Sequence, residues 1–491
     1  MIFQLRKLLR HVLLISLYGV TGAFLTLLVV FVLYLNGRPD LSAWHVADLD
    51  EEFTAESGVT SFEEYLQLED RLFSQVHEEV YDRIRNDQRS QVNRYNRGSL
   101  SDPEQWPQNW NRSYELAVDK PRAAVLMLHG MSDSPYSLRS LAGSLQQAGA
   151  YVVGLRVPGH GTAPSGLTTV SWQDMVAAVE LAVRHLADKA EGQPIHLVGY
   201  SNGGALAVNY MLTAVADDQL PQVDSLALIS PEIGLAKVAA LAKWQARLGT
   251  WLGLEKLAWN DLLPEYDPYK YGSFAVNAGN VAYQGTQQIQ KRLTALEKSG
   301  DLNKIPPILA FSSIVDATVS APALVEGLFD RIQPGGHELV LFDINRMADI
   351  GPILKWNPSA MVTALQQNTG KTFTLSLVTN SNAGGPGVMS SVLQLGANES
   401  VNTELALSWP TDVYSLSHVA LPFPPDDPLY GLTSQPDSRL HIGALAFRGE
   451  RNVLQIPASE MLRLRSNPFY PFLEENVLEF FDLAGSTEQA E

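Results

Sequence analysis

The pentapeptide Gly199-Tyr200-Ser201-Asn202-Gly203 has residue types and spacing that prescribe a reaction. It follows the β-like run Ile195-His196-Leu197-Val198 and leads into Gly204-Ala205-Leu206-Ala207, the small-residue face of a closely packed helix. A sharp strand-to-helix turn of this kind holds its serine in strained backbone with the hydroxyl exposed. Side chains at 199 and 203 would collide with the adjoining strand and helix. Strand, turn and small-faced helix together mark Ser201 as a nucleophile rather than an ordinary turn serine. A serine that attacks a carbonyl needs donors for the oxyanion that forms. The loop Leu128-His129-Gly130-Met131-Ser132-Asp133-Ser134 is suited to supply one, the Met131 N–H pairing with that of Asn202.

Two histidines near these loops invite assignment as the base. His129 precedes the serine in a His-Gly loop, and His160 lies in the turn-rich Val157-Pro158-Gly159-His160-Gly161-Thr162. Both are read as shaping their loops. The elements that must position this chemistry begin near residue 113. Apolar runs of strand length occur at Ala123–Leu128, Tyr151–Leu155, Ile195–Val198, Val223–Ile229, Ile308–Ser312 and Glu338–Phe342, several separated by amphipathic helical stretches. That alternation predicts a mostly parallel sheet covered on both faces. Within it, Ser171-Trp172-Gln173-Asp174 is a capping box opening a helix over 171–190 whose buried side carries Met175, Val179, Leu181, Ala182 and Leu186.

His129-Gly130, Pro158-Gly159-His160-Gly161 and Gly199-Tyr200-Ser201-Asn202-Gly203-Gly204 together resemble the α/β-hydrolase superfamily, in its monoacylglycerol-lipase-like and serine-aminopeptidase-like branch. The resemblance spans about 113–231, thins over 305–345 and 410–483, and is absent before residue 100. It implies an α/β fold with a doubly wound, mostly parallel eight-stranded sheet, a helical lid inserted after the sixth strand, and a triad in the chain order Ser, Asp, His. It also implies hydrolysis of esters or amides without metal or organic cofactor. Pro306–Ser313 reads as a buried strand, and Asp316 in the loop after it matches the family's acid, the alternative being a helix cap for the stretch from Ser320. After Glu338–Ile344 the family would place its histidine, but this chain has Asn345-Arg346-Met347. His337 starts that strand rather than ending it. His418 ends the strand-like run Asp412–Val419 before the proline-rich Leu421–Pro428, so it is the preferred base over His337 and His441. The departure implies an insertion over about 346–411, with Phe373–Val378 as an extra strand.

The whole sequence sets bounds on this reading. Over 491 residues, 35 Lys and Arg against 53 Asp and Glu give a net charge of −18, a poor balance for nucleic-acid binding. Cys is 0, which excludes disulfides, cysteine nucleophiles and thiolate metal sites. Val12–Leu35 is a run of 24 uncharged residues, and at ~1.5 Å per helical residue it outspans a hydrocarbon core of ~30 Å. No small-x-small cleavage site follows at Leu35-Asn36-Gly37-Arg38-Pro39, so an uncleaved anchor is expected over residues 1–36. Arg6, Lys7 and Arg10 precede the span, whereas Asp40, Asp48, Asp50, Glu51 and Glu52 crowd its far side. The positive-inside rule therefore puts the N-terminus in the cytoplasm and the remainder outside it, in the periplasm for a bacterium.

A connecting region, 37–112, carries the capping box Ser61-Phe62-Glu63-Glu64 and a helix of about 25 residues whose apolar stripe must pack on the catalytic domain as a strap. The hydrolase domain is expected over 113–485, followed by a tail at 486–491. Its lid, about 232–303, holds Val238, Leu241, Trp244, Leu248, Trp251 and Leu252 on one helical face, then Trp259, Tyr266, Tyr269, Tyr271 and Phe274. These aromatics serve core packing, or an apolar wall for an acyl chain, or both. A helix over Phe472–Leu483 would cover the sheet.

The expectation is a membrane-anchored serine hydrolase of carboxylic esters, lipid-derived by preference, with Ser201, His418 and Asp316 as its triad and no cofactor. A serine peptidase and a catalytically silent binding protein of the same fold are the alternatives. The sequence names no protein partner. The charge asymmetry generates a test: in right-side-out vesicles, protease should reach the chain after Arg38 from the non-cytoplasmic side alone, and protection there would reverse the assigned topology.

Overall fold

Along Ala123–Leu128 successive side chains enter two different apolar layers, because a strand buried on both faces points alternate residues to opposite sides. Ala124, Leu126 and Leu128 pack with Met175, Val179 and Leu186 on one face. Ala123, Val125 and Met127 pack with Leu141, Leu145 and Val477 on the other. This two-sided burial is what near-continuous apolar runs in the sequence encode. The computed structural model describes residues 2–234, 254–348, 353–355, 357–382, 384–433, 440–443, 450 and 453–485. The lid residues Val238, Leu241, Trp244, Leu248, Trp251 and Leu252 and the tail 486–491 lie outside the described residues.

The strands are β1 (Tyr114–Leu116), β2 (Ala123–Leu128), β3 (Ala150–Leu155), β4 (Ile195–Tyr200), β5 (Ser225–Ile229), β6 (Trp259–Asp261), β7 (Phe274–Ala275), β8 (Ile308–Ser313), β9 (Glu338–Phe342), β10 (Thr374–Asn380), β11 (Gly387–Leu393) and β12 (Val401–Ser408). The main sheet runs β1-β3-β2-β4-β5-β8-β9-β10-β11-β12, while β6 and β7 form a separate antiparallel pair. From β3 to β10 neighbours are parallel, and β1, β11 and β12 join antiparallel. This is the α/β-hydrolase sheet, doubly wound and mostly parallel. It has ten strands where the resemblance implied eight: seven run through β9, and β10, β11 and β12, from residues 374–408, extend the sheet beyond it. The run before His418 is not a strand. Residues 412–417 are irregular and His418 opens a 3-10 turn, His418–Ala420, so an apolar stretch there serves as a return segment rather than as sheet.

Both capping boxes start helices. The Ser171 side chain accepts from the Asp174 N–H at 3.1 Å and the Asp174 carboxylate accepts from the Ser171 N–H at 2.9 Å, opening Trp172–Lys189. Ser61 accepts from the Glu64 N–H at 3.2 Å and opens Phe62–Glu79, shorter than the expected 25 residues because Tyr81–Arg83 is a separate 3-10 turn. The closing helix is Tyr470–Phe480. At the other end of the chain, Ile2–Asn36 is one helix, and its Leu9–Asn36 stretch, of mean hydropathy 2.2, is long and apolar enough to cross a membrane.

The connecting region is built into the domain. Tyr65 and Leu72 are fully buried, and the Tyr65 hydroxyl donates to the Arg156 carbonyl at 2.6 Å. Arg156, itself fully buried, pairs with Glu52 at 3.0 Å and faces Glu69 at 3.6 Å. Burial pushes the Glu69 carboxyl up, and the Arg156 guanidinium opposes that push. Glu52 also accepts from the Gly159 N–H at 3.0 Å, so one carboxylate ties the strap to the Pro-Gly-His-Gly loop. Removing one partner of a buried pair strands the other charge. Glu52→Ala should therefore lower unfolding stability by about 3 kcal/mol in denaturant titrations of the detergent-solubilised protein. A loss below about 0.5 kcal/mol would make the network incidental.

Candidate active site

Ser201 sits between the end of β4 and the helix Asn202–Ala216 at φ 54°, ψ −118°, backbone that L-residues seldom adopt. Three features hold it there. Its N–H donates to the Ile229 carbonyl at 3.0 Å and its carbonyl accepts from the Glu232 N–H at 3.0 Å. The glycines supply the room: a Cβ on Gly203 would lie 2.0 Å from the Leu128 carbonyl oxygen, and one on Gly199 would lie 2.5 Å from the Gly203 carbonyl oxygen. Asn202 is the first residue of the helix, so its N–H is among those with no intrahelical partner and can face a ligand.

The loop after β2 presses on this turn, since a Cβ on Gly130 would stand 3.1 Å from that of Ser201. Met131 follows directly. His129 holds the loop with both ring nitrogens: Nδ1–H donates to the Gly130 carbonyl at 2.9 Å and Nε2 accepts from the Val157 N–H at 3.0 Å. No lone pair remains for proton abstraction. Burial, then neighbouring His160, keeps His129 well below its ordinary value, and burial pulls His160 down to about 4. As pH falls below 6.5 the unfolded chain takes up protons that these folded histidines refuse, so this part of the stability declines toward pH 4.

Asp316 and His418 meet. His418 Nδ1 donates to Asp316 Oδ2 at 2.9 Å, with both side chains buried. Burial pushes the Asp316 carboxyl up, but the hydrogen bond and charge of His418, with the Val319 and Thr318 amides, outweigh it and hold it low. Those amides donate to Asp316 Oδ1 at 2.9 and 2.8 Å, so the carboxylate caps its own loop while the other oxygen orients the imidazole. The His418 ring lies 5.3 Å from that of Tyr200, the residue before Ser201. Its Nε2 has no hydrogen-bond partner among the described residues. The return segment is pinned from below: Asn345 donates from its backbone to the Tyr414 carbonyl (2.8 Å) and from its side chain to the Val413 carbonyl (3.0 Å), and Ser313 Oγ donates to the Leu416 carbonyl (3.0 Å). Asn345, which stands where the family would carry its histidine, thus holds the segment that delivers His418. His337 lies at the opposite edge of the sheet, accepting from the Ile308 N–H at 3.2 Å and donating to the Gln333 carbonyl at 2.9 Å. His441 donates from Nε2–H to the Gly431 carbonyl at 2.9 Å, and neither Asp316 nor His418 is its partner.

Sequence reasoning passed over three participants. Tyr200 lies tilted against the His418 ring at 5.3 Å, and only its adjacency to Ser201 could have signalled it. Lys270 pairs with Asp133 at 2.8 Å and the Tyr271 N–H donates to the Ser132 carbonyl at 2.8 Å, so the segment between β6 and β7 rests on the loop after β2. Glu232, beside the elbow, has an enclosed Oε2 with no hydrogen-bond partner, and burial pushes its carboxyl up to about 7. Among the described residues no group of three or more His, Asp or Glu side chains is arranged to hold a metal ion.

Residues 119–344 match the family model described as Hydrolase_4, serine aminopeptidase, S33. The match ends before the insertion and His418. A thermostable monoacylglycerol lipase from a Bacillus species is 30% identical over 116 residues, 24% of this chain and 43% of that protein. Phospholipase YtpA of Bacillus subtilis is 28% identical over 121 residues, 24% of this chain and 44% of that protein. The chain therefore spans less than half the length of these relatives. The structure of a monoacylglycerol lipase from Paleococcus ferrophilus aligns with TM-score 0.36 at 19% identity, covering 47% of this chain and 88% of that one.

The geometry separates the histidines experimentally. His418→Ala should lower turnover of an activated ester by ~10³-fold or more, because triad members act as a unit. His337→Ala should stay within about tenfold, its role being two backbone hydrogen bonds. An active His418→Ala beside an inactive, folded His337→Ala would overturn the assignment.

Proposed function

We propose that this chain, which belongs to the α/β-hydrolase superfamily, is a membrane-anchored serine hydrolase that cleaves carboxylic esters of lipid origin. The observation that carries the reading is the Asp316–His418 hydrogen bond, with the His418 ring 5.3 Å from that of Tyr200, the residue before a serine held at φ 54°. In the proposed cycle, Ser201 Oγ attacks the ester carbonyl as His418 Nε2 takes the hydroxyl proton, and Asp316 holds the imidazolium through Nδ1–H. The Met131 and Asn202 amides stabilise the oxyanion. Collapse expels the alkoxide, which receives the proton from His418 and leaves an acyl-Ser201. Water, deprotonated by His418, then attacks the acyl carbonyl, and Ser201 is released with its proton restored.

An ester is preferred over a peptide on two grounds. The curated relatives are a monoacylglycerol lipase and a phospholipase. The Leu9–Asn36 helix, read as an anchor with its N-terminus in the cytoplasm, keeps the site beside a bilayer. The peptidase alternative draws on Glu232, an acidic group next to the elbow that could meet a substrate amine. Its charge is incomplete near neutral pH, which weakens that role.

Purified full-length protein should hydrolyse short-chain nitrophenyl esters and take up a fluorophosphonate probe, and Ser201→Ala should lose both by ~10³-fold or more while melting as the parent does. Ser201→Ala retaining a tenth of the activity would sink the nucleophile. Faster turnover of aminoacyl amides than of matched esters would favour the peptidase.

A further inference from the structure

A hydrogen bond fixes the direction of an N–H and leaves the ring behind it free to turn. His418 Nδ1 is tied to Asp316 Oδ2, but the torsion that sets an imidazole's plane has broad minima, so the direction of Nε2 depends on what packs against the ring. No strand supplies that packing, because residues 412–417 are irregular and His418 opens a 3-10 turn. Tyr200 supplies it. Its ring centroid lies 5.3 Å from that of His418 at an interplanar angle of 33°, and its hydroxyl makes a long contact of 3.5 Å to the His418 carbonyl.

Tyr200 is itself confined. It is the last residue of β4, paired in register with Ile229, and only 1% exposed. A Cβ on Gly130 would stand 3.1 Å from Tyr200 Cε1, so the ring fills the space up to the loop after β2. Leu416 and Leu421, on either side of His418 in the chain, enter the same apolar layer as Tyr200. Burial, with the Asp133 charge next, pushes the Tyr200 hydroxyl well above its ordinary value, so the side chain stays neutral beside the Asp316–His418 pair.

We propose that Tyr200 is a positioning residue whose ring sets the plane of the His418 imidazole and so aims Nε2 at the Ser201 hydroxyl. The inference rests on the hydrolase reading of Ser201 and His418. One peptide bond joins Tyr200 to Ser201, and Ser201 is locked by its own bonds to Ile229 and Glu232, so a ring carried by residue 200 refers the base to the same frame as the nucleophile. A base delivered by an irregular segment gains most from such a reference, since a misplacement of ~1 Å costs on the order of 10²-fold in rate. The ring face does this rather than the hydroxyl, whose 3.5 Å contact is at the limit for an O–H donor. Being enclosed, Tyr200 offers substrate no surface, and its effect falls on kcat and not on KM.

The test compares Tyr200→Phe with Tyr200→Leu in detergent-solubilised full-length protein, on one activated ester. Tyr200→Phe should keep kcat within about threefold, whereas Tyr200→Leu should lower it roughly thirtyfold with KM within about twofold. If Tyr200→Leu does not fold, Tyr200→Met, whose flexible side chain fills the space without a flat face, takes its place. An equal fall in the Phe and Leu variants, a parent-like kcat in the Leu variant, or a rise in KM alone overturns the proposal. A second readout needs no turnover: in protein with ¹⁵N-labelled histidine, the His418 ring signal, assigned by its loss in His418→Ala, should stay single in Tyr200→Phe and broaden or split in Tyr200→Leu. An unchanged signal in Tyr200→Leu overturns the orienting role. If the parent hydrolyses no ester, the hydrolase reading fails, while the ring signal still decides whether Tyr200 orients His418.

Discussion

The constraint on which the site depends is the close approach of three backbones at the elbow. The helix after Ser201 must begin almost in contact with the end of β2, where the missing Cβ of Gly203 would fall 2.0 Å from the Leu128 carbonyl. Only that approach sets the start of the helix against the loop after β2. It costs backbone strain of ~1–3 kcal/mol at Ser201, offset by hydrogen bonds to the Ile229 carbonyl and from the Glu232 N–H. A residue in this conformation cannot relax into the sheet or the helix, so its hydroxyl stays presented.

Asp316 and His418 solve a different problem, because their chain separation is large while their contact is 2.9 Å. Parallel strands end on the same edge, which brings the loop after β8 beside the elbow after β4 without further device. His418 must come back from β10, β11 and β12 at the far edge. Its return works because the ends of β8 and β9 carry polar side chains aimed upward: Ser313 and Asn345 seize carbonyls of 413–416. A segment held by such bonds needs no strand propensity, and its position is set by the sheet beneath it.

This explains what the sequence discloses and what it hides. The inner strands were legible because burial on both faces demands unbroken apolar runs, and β2 and β9 begin and end at the residues that the runs delimit. The elbow was legible because its glycines have a steric cause. By contrast, β12 is exposed along most of its length and alternates Asn402, Thr403 and Glu404 with little apolar signal, so edge position erased the pattern. The run before His418 looked like a strand because Val413 and Leu416 pack on the sheet core. Apolar residues report burial, and only pairing makes a strand. The pairing of Asp316 with His418 follows the resemblance and the chain order, whereas Asn345 as their support could not be read without the topology.

The connecting region packs on the sheet domain as the apolar stripe of its helix leads one to expect, and its acidic start adds a second tie: Glu52 reaches a fully buried guanidinium. A buried pair is a weak source of net stability, since desolvation consumes most of its attraction. What this one supplies is direction. Arg156 donates to the His160 carbonyl at 3.1 Å while Glu52 accepts from the Gly159 N–H, fixing a turn whose Gly159 and Gly161 both adopt positive φ. The next residue, Val157, donates to His129, and His129 in turn holds Gly130 against Ser201. Each link has a fixed donor and acceptor, so the chain from Glu52 to the elbow is geometric throughout. The strap is therefore coupled through Arg156 and His129 to the loop after β2, and any cut that removes residue 52 disturbs that loop through this route.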